Sequence, residues 1–296
     1  RHADMLRDAL DPSRPDDGGP WLGHLACSDT IALPERHLGL TMPAEAADTL
    51  ARLDAAANAV AGQPLGRDLT AWPRWQPPQA PQPAPRQRPL DGRRIAVARD
   101  AAFAFIYPAN LEVLRALGAQ PVFFSPLAGD SLPPCDALWM PGGYPELHAA
   151  RLAELSELRA QIAAHVQSGK PLWAECGGLM VLAEHLVDAA GRPHALWGLL
   201  PGTAVMGRRL AALGPHEMPL AGEAMPLRGH SFHWSRFETT LEPVSFTTPQ
   251  RRSAAAGDGE AVYELGSLRA SWFHPWFASS PAAAARLFDT PSLFRP

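Results

Sequence analysis

The stretch that decides the fold is Pro171-Leu172-Trp173-Ala174-Glu175-Cys176-Gly177-Gly178-Leu179-Met180. An apolar run of strand character ends at a cysteine, two glycines follow, and an apolar segment of helical character begins. Small residues at 174, 177 and 178 allow a tight strand-to-helix corner, the position where α/β enzymes expose a nucleophile. The first amides of the new helix and the positive end of its dipole face the sulfur and favour thiolate, the reactive form. The competing reading is a small buried core cysteine, because free cysteines are often buried. This stretch alone leaves the two evenly balanced.

Outward from the corner the pattern is strand alternating with helix. Ile95-Ala96-Val97-Ala98, Pro121-Val122-Phe123-Phe124 and Ala137-Leu138-Trp139-Met140 read as buried strands, as does Pro171 to Ala174. A helix is expected over Asn110 to Leu117, with Leu111, Leu114 and Leu117 on one face. Leu152, Leu155, Leu158, Ile162 and Val166 mark the buried stripe of one longer helix, and Leu179 to Leu186 continues from the corner as another. Such alternation implies an open, mostly parallel sheet with helices on both faces, whose reactive groups gather at the carboxyl ends of the strands. The tail changes character. Leu227 to Phe237 is strand-like, Ala261–Leu265 and Leu268–Phe273 flank a Gly266-Ser267 hairpin signal, and Pro281 to Phe288 closes as a helix.

Before the sheet lies Trp72-Pro73-Arg74-Trp75-Gln76-Pro77-Pro78-Gln79-Ala80-Pro81-Gln82-Pro83-Ala84-Pro85, a semi-rigid extended linker, since proline fixes φ and removes a donor. The expected division is 1–71, a short N-terminal piece; 72–91, the linker; and 92–296, the main domain. The N-terminal piece shows a possible strand at Trp21 to Ala26, a loop through Leu33-Pro34-Glu35-Arg36-His37-Leu38-Gly39-Leu40, and an Ala-rich helix from about Ala44 to Val60. The opening Arg1-His2-Ala3-Asp4-Met5-Leu6-Arg7 has mid-helix character and no initiator Met, so a fragment is expected.

The 46% hydrophobic and 19% charged content of these 296 residues suits a globular chain with a sizeable core. A net charge of −4 and the lack of any basic run argue against nucleic-acid binding. Cys27, Cys135 and Cys176 are too few and too scattered for a disulfide framework or a zinc cluster, and point to a reducing cytoplasm. No apolar run reaches membrane-spanning length.

Two further segments bear on Cys176. Pro141-Gly142-Gly143-Tyr144-Pro145-Glu146 follows a strand directly, and a bare glycine backbone there lets an N–H group approach a developing oxyanion. For the glycine pair alone, an ordinary tight turn is the favoured reading. Ser271-Trp272-Phe273-His274-Pro275-Trp276-Phe277 ends an apolar strand in a histidine. A thiol needs a base to activate it and to protonate the leaving amine. Among the eleven histidines His230, His233 and His274 compete closely. His230 and His233, in a run with Ser231 and Phe232, are expected on one strand face, lining a substrate pocket or, with more weight, a domain interface. Glu175 is read as binding substrate or, the favoured reading, bonding backbone at the corner, and Glu146 as positioning the glycine loop.

The motifs together resemble a family. Residues 141–146, Ala174-Glu175-Cys176-Gly177-Gly178-Leu179-Met180, Arg228-Gly229-His230-Ser231-Phe232-His233 and Ser271-Trp272-Phe273-His274 look like the class I, triad-type glutamine amidotransferase domain of cobyrinic acid a,c-diamide synthases. Val97 to Phe103 and Tyr107-Pro108-Ala109-Asn110-Leu111 resemble the start of that domain, and Leu33 to Leu40 a signature late in the family's ATP-binding domain. The resemblance spans nearly the whole chain in the family's order.

It implies that Cys176 attacks the glutamine carboxamide, His274 is base and acid, and the N–H groups of Gly143 and Gly177 form the oxyanion hole. Gly142, Glu146, His230 and His233 are its substrate-lining candidates. Residues 1–71 would be the C-terminal remnant of a P-loop-type ATP-binding α/β domain. Ammonia would pass to a site where ATP and Mg²⁺ activate the a and c carboxylates of a corrin precursor. Hydrogenobyrinic acid and nickel-sirohydrochlorin are the alternative acceptors, and a non-catalytic tetrapyrrole- or partner-binding module is the alternative of another class. Self-association into a homodimer stays open.

Two departures stand out. Many triad amidotransferases carry a glutamate two residues after the histidine, where this chain has Trp276, so His274 lacks an obvious carboxylate partner. The family's phosphate loop ends Gly-Lys-Ser/Thr, whereas the single lysine, Lys170, sits in Ser168-Gly169-Lys170-Pro171. The cofactor-binding residues therefore stay unassigned.

Overall fold

The structure is a computed structural model that describes residues 2–9, 21–36, 39–40, 48–67, 74, 76, 87–250 and 259–289. It divides into two units, Arg1–Gln82 and Pro83–Pro296.

The first unit holds α1 (His2–Ala9), a strand pair β1 (Glu35–Arg36) and β2 (Gly39–Leu40), α2 (Thr49–Ala61) and α3 (Pro64–Arg67). β1 and β2 pair antiparallel, Glu35 opposite Leu40. Arg52 of α2 binds the Asp48 carboxylate and the carbonyls of Asp29 and Ala32, which fixes the helix to the preceding loop. The strand expected over Trp21–Ala26 is not formed. No ladder partner lies beside it among the described residues, and the His24 amide bonds the Gln63 side chain instead, at 3.3 Å. His37, residues 44–47 and most of the proline-rich stretch lie outside the described residues.

The second unit is built on strands buried on both faces. In β3 (Arg94–Ala98), Ile95 and Val97 pack into one apolar cluster and Ala96 and Ala98 into another. Trp139 of β5 (Ala137–Met140) and Trp173 of β6 (Leu172–Glu175) join the first cluster, while Leu138, Met140, Leu172 and Ala174 join the second. The first cluster is roofed by α4 (Pro108–Ala116), which precedes β4 (Gln120–Phe124), and by the last helix of the chain. The second is roofed by α5 (Ala149–Ala153) and α6 (Ser156–Gln167). Burial on both faces is why these strands read as near-continuous apolar runs.

After β6 come α7 (Gly177–Leu182), β7 (Ala183–Val187), β8 (Pro193–Ala195), β9 (Leu200–Met206), β10 (Ala212–Met218), β11 (Leu227–His233) and β12 (Ser235–Glu238). Then follow β13 (Ser245–Phe246), β14 (Thr248–Pro249), β15 (Ala261–Leu265), β16 (Leu268–Ser271), β17 (His274–Pro275) and α8 (Pro281–Asp289), the roofing helix named above. The main sheet has the order β13-β15-β16-β6-β5-β3-β4. Its run from β16 to β4 is parallel, and β15 and β13 add an antiparallel edge. Two four-stranded sheets, β14-β10-β11-β17 and β12-β9-β7-β8, stand beside it.

Two helical expectations are corrected. The stripe from Leu152 to Val166 is carried by two helices, because Leu155 leaves helical geometry (ψ 54°) between α5 and α6. The stripe reported burial, which the break preserves. The segment Leu179–Leu186 is helical only to Leu182. Ala183 turns extended (ψ 161°), and β7 pairs with β9 and β8. Ala183 and Leu186, three apart, satisfy a helical face, and on β7 a register shift between Ala183 and His185 lets both be buried, so the short run is ambiguous until a partner strand decides.

Candidate active site

Cys176 directly follows β6 and caps α7 with φ +48° and ψ −106°, the single non-glycine residue of positive φ among the described residues. Such a conformation costs on the order of 1–3 kcal/mol and persists only where surrounding structure imposes it. Here the Cys176 amide donates to the Ser271 carbonyl at 2.8 Å, which ties the corner to β16. The thiol is buried.

The glycine loop reaches the corner from β5. Phe105 donates its amide to the Gly142 carbonyl at 3.0 Å. A Cβ on Gly143 would fall 2.1 Å from the Ala102 carbonyl oxygen, and one on Gly177 would fall 2.9 Å from the Gly143 nitrogen. The backbones of Gly143 and Gly177 thus touch, and only glycine permits it.

His274 arrives from β17, where it pairs with His230 of β11. Asn110 of α4, fully buried, braces this segment: its Nδ2 donates to the Pro275 carbonyl and its Oδ1 accepts from the Phe277 amide, both at 2.9 Å. The imidazole stacks on His230 at 5.0 Å between centroids and 14° between planes. Its Cε1 lies close to Gly142, whose absent Cβ would sit 2.4 Å away. Gly142 meets His274, Gly143 meets Gly177, and Gly177 follows Cys176, so the three sequence segments converge.

Electrostatics correct one expectation. The thiol is pushed well up from its ordinary value, first by burial, then by Glu146, while the Gly177 amide pulls down. The short α7 does not outweigh that balance, so the resting group is a protonated thiol. Burial likewise pushes His274 down to about 3, with His230 and His233 adding to it, so the ring is neutral and able to accept a proton.

The competing histidines separate. In His233, Nδ1 faces the Ser235 carbonyl at 2.8 Å and Nε2 faces Glu260 Oε1 at 3.1 Å, so both nitrogens are engaged. Ser231 donates to the same Glu260 oxygen at 2.5 Å. His230 and His233 do not share a face. Three residues apart on a strand of period two, they point oppositely, and Ser231 and His233 are the pair that face one way. His230 Nε2 lies 3.4 Å from the Tyr107 hydroxyl. Glu146 sits buried in the 3-10 turn Pro145–Leu147 beside the corner. Cys135 and His165, 3.7 Å apart, form a thiol–imidazole contact, but His165 Nε2 is held by the Pro171 carbonyl and burial pushes the Cys135 thiol up and the His165 ring down.

Glu175 engages the Gly142 backbone, as the sequence reading expected, and has further partners. Its Oε2 accepts from the Trp173 indole at 3.1 Å, and its Oε1 lies 4.0 Å from His274 Nδ1. Burial pushes its carboxyl up to about 8, against the pull of the Trp173 and Trp139 indoles and the Gly142 amide. The signal was present: Glu175 is an acid closing an apolar strand, two residues from Trp173 and so on the same face. Asn110 and Glu260 carried no local signal, since their partners lie across the fold.

A cysteine corner, a glycine loop and a buried histidine meet at the carboxyl edge of a parallel sheet. The chain belongs to the CobB/CobQ-like glutamine amidotransferase domain family, which matches residues 94–282. A hydrogenobyrinate a,c-diamide synthase from Pseudomonas aeruginosa is 47% identical over 97% of this chain and 63% of its own length. A cobyrinate a,c-diamide synthase from Herminiimonas arsenicoxydans is 46% identical over 87% of this chain and 58% of its own. The chain therefore spans less than two thirds of either relative. Among solved structures, a chain of PurLQS from Thermotoga maritima superposes with a TM-score of 0.43 at 14% identity, covering 62% of this chain and 87% of that one.

The described residues do not fit ATP and Mg²⁺. The single lysine gives its Nζ to the Cys135 carbonyl at 2.8 Å, and no group of three His, Cys, Asp or Glu side chains is placed to hold a metal ion. No helix among them is long and apolar enough to cross a membrane.

Proposed function

We propose that the chain hydrolyses glutamine and supplies the ammonia for amidation of the a and c carboxylates of a corrin precursor, cobyrinic or hydrogenobyrinic acid. The carrying observation is the convergence of Cys176, Gly143, Gly177 and His274 on one corner. Cys176 Sγ attacks the side-chain carboxamide carbon as His274 takes the thiol proton. The oxyanion lies between the Gly143 and Gly177 amides, whose donors act where charge develops. The C–N bond breaks, His274 returns the proton to the departing ammonia, and water releases glutamate from the thioester.

The acceptor reading rests on the names of the two relatives, which differ in that the first amidates hydrogenobyrinate and the second cobyrinate. The first unit is included in the 97% alignment and reads as the end of a synthetase domain. ATP and Mg²⁺ would activate the carboxylates in the whole protein, and no step here runs through them. The test is glutamate release from glutamine by this chain, with Cys176→Ala as control. Equal release by both would overturn the reading. The acceptor is tested by offering both corrins to the whole protein with ATP.

A further inference from the structure

We infer that Glu175 is the positioning carboxylate of His274, supplied by the nucleophile's own strand instead of the segment after the histidine. This rests on the proposed glutaminase reading of the site. The residue two beyond His274 is Trp276, 52% exposed, so that segment offers no acid. Glu175 Oε1 and His274 Nδ1 lie 4.0 Å apart, and both are buried atoms without a hydrogen-bond partner. Buried polar groups left unpaired are rare enough to need a reason, and the closeness of these two atoms supplies one.

The surroundings aim the two atoms. Trp173 holds Oε2 at 3.1 Å and so turns Oε1 away from itself. Glu175 is in register with Ser271 of β16, three residues before His274. Gly142 and His230 both pack against the imidazole. Closing the gap by roughly 1 Å brings the pair to hydrogen-bond length.

In the working arrangement Nδ1–H donates to the Glu175 carboxylate, which leaves the Nε2 lone pair for the Cys176 proton. The imidazolium then formed faces a negative charge, and it returns the proton to ammonia. Glu175 stays ionised throughout, in the manner of the third member of a triad. Burial holds Glu175 up at about 8, so near neutral pH the resting carboxyl keeps its proton and the pair is not armed. The other titratable groups around the pair are Cys176, Glu146, His230, His233, Glu260 and Tyr107.

The test is the pH profile of glutamine hydrolysis for the wild-type chain, Glu175→Gln and Glu175→Asp. The expected result for Glu175→Gln is a kcat lowered by roughly 10²–10⁴-fold with KM nearly unchanged, and loss of the rise in rate near pH 8. Glu175→Asp keeps a carboxylate, so it should recover part of the rate and keep the rise. A Gln variant with wild-type kcat and profile overturns the inference while leaving the glutaminase reading intact. If the wild-type chain releases no glutamate, that reading fails, and Cys176 alkylation by iodoacetamide still decides the pair. An alkylation profile against pH that is the same in all three proteins overturns it. Should the Gln variant not fold, an Asp variant whose profile matches Glu175→Ala does the same.

Discussion

Gly142 and His274 are in backbone-to-ring contact: a Cβ on the glycine would lie 2.4 Å from Cε1 of the imidazole. Position 142 therefore sets where the ring can rest. Gly142→Ala should push the ring off the corner and lower kcat for glutamine roughly 10²-fold, the effect of a misplacement of about 1 Å. Steady-state kinetics beside a thermal melt check it. An alanine variant with wild-type kcat would show that the ring has slack.

Cys176→Ala should lower glutamine hydrolysis by roughly 10³-fold or more, as loss of a nucleophile does elsewhere. Cys176→Gly should be equally inactive yet no less stable than the alanine variant, because glycine accepts φ +48° without strain. Urea denaturation of the two variants makes the comparison.

His274→Ala and His233→Ala should fail differently. The first removes the base and should abolish turnover with the fold retained. The second leaves Glu260 without its imidazole partner in a buried site and should cost about 1–3 kcal/mol of stability. A His233 variant that is fully stable but inactive would reverse the assignment of the base.

Stability should also fall with pH because of Glu175. Its folded carboxyl is held up at about 8 from an ordinary 4.5, so between those values the folded chain keeps a proton that the unfolded chain has lost. Stability from this source is complete below 4.5 and is lost as pH climbs towards 8. His274, held down at about 3 from 6.5, acts oppositely, but above 6.5 it is neutral in both states. Between pH 6.5 and 8 the wild-type chain should thus lose up to roughly 2 kcal/mol more than Glu175→Gln. Parallel slopes in urea unfolding at the two pH values would contradict this.

Much of the main unit was legible in the sequence because strands buried on both faces announce themselves as apolar runs. β3, β5 and β6 are such strands. The Gly266-Ser267 hairpin was legible because its turn chemistry is local. The strand-to-helix corner at Cys176 was legible for the same reason. What failed depended on distant partners. Leu179–Leu186 needed β9 to decide between helix and strand. Glu175 needed His274, which lies across the β6–β16 ladder. Glu260 meets Ser231 and His233 from nearly thirty positions away, with no pattern linking them. The faces of His230 and His233, in contrast, followed from strand periodicity and needed no partner at all.

Asn110 braces the backbone beyond His274 across sequence separations of 165 and 167. The thiol comes from the middle of the chain, the brace from the first strand–helix unit of the main sheet, and the base from the last strand. A polypeptide that ends before β17 carries a complete cysteine corner and no means of using it. On the proposed glutaminase reading, a product truncated before β17 stays chemically silent instead of leaking ammonia.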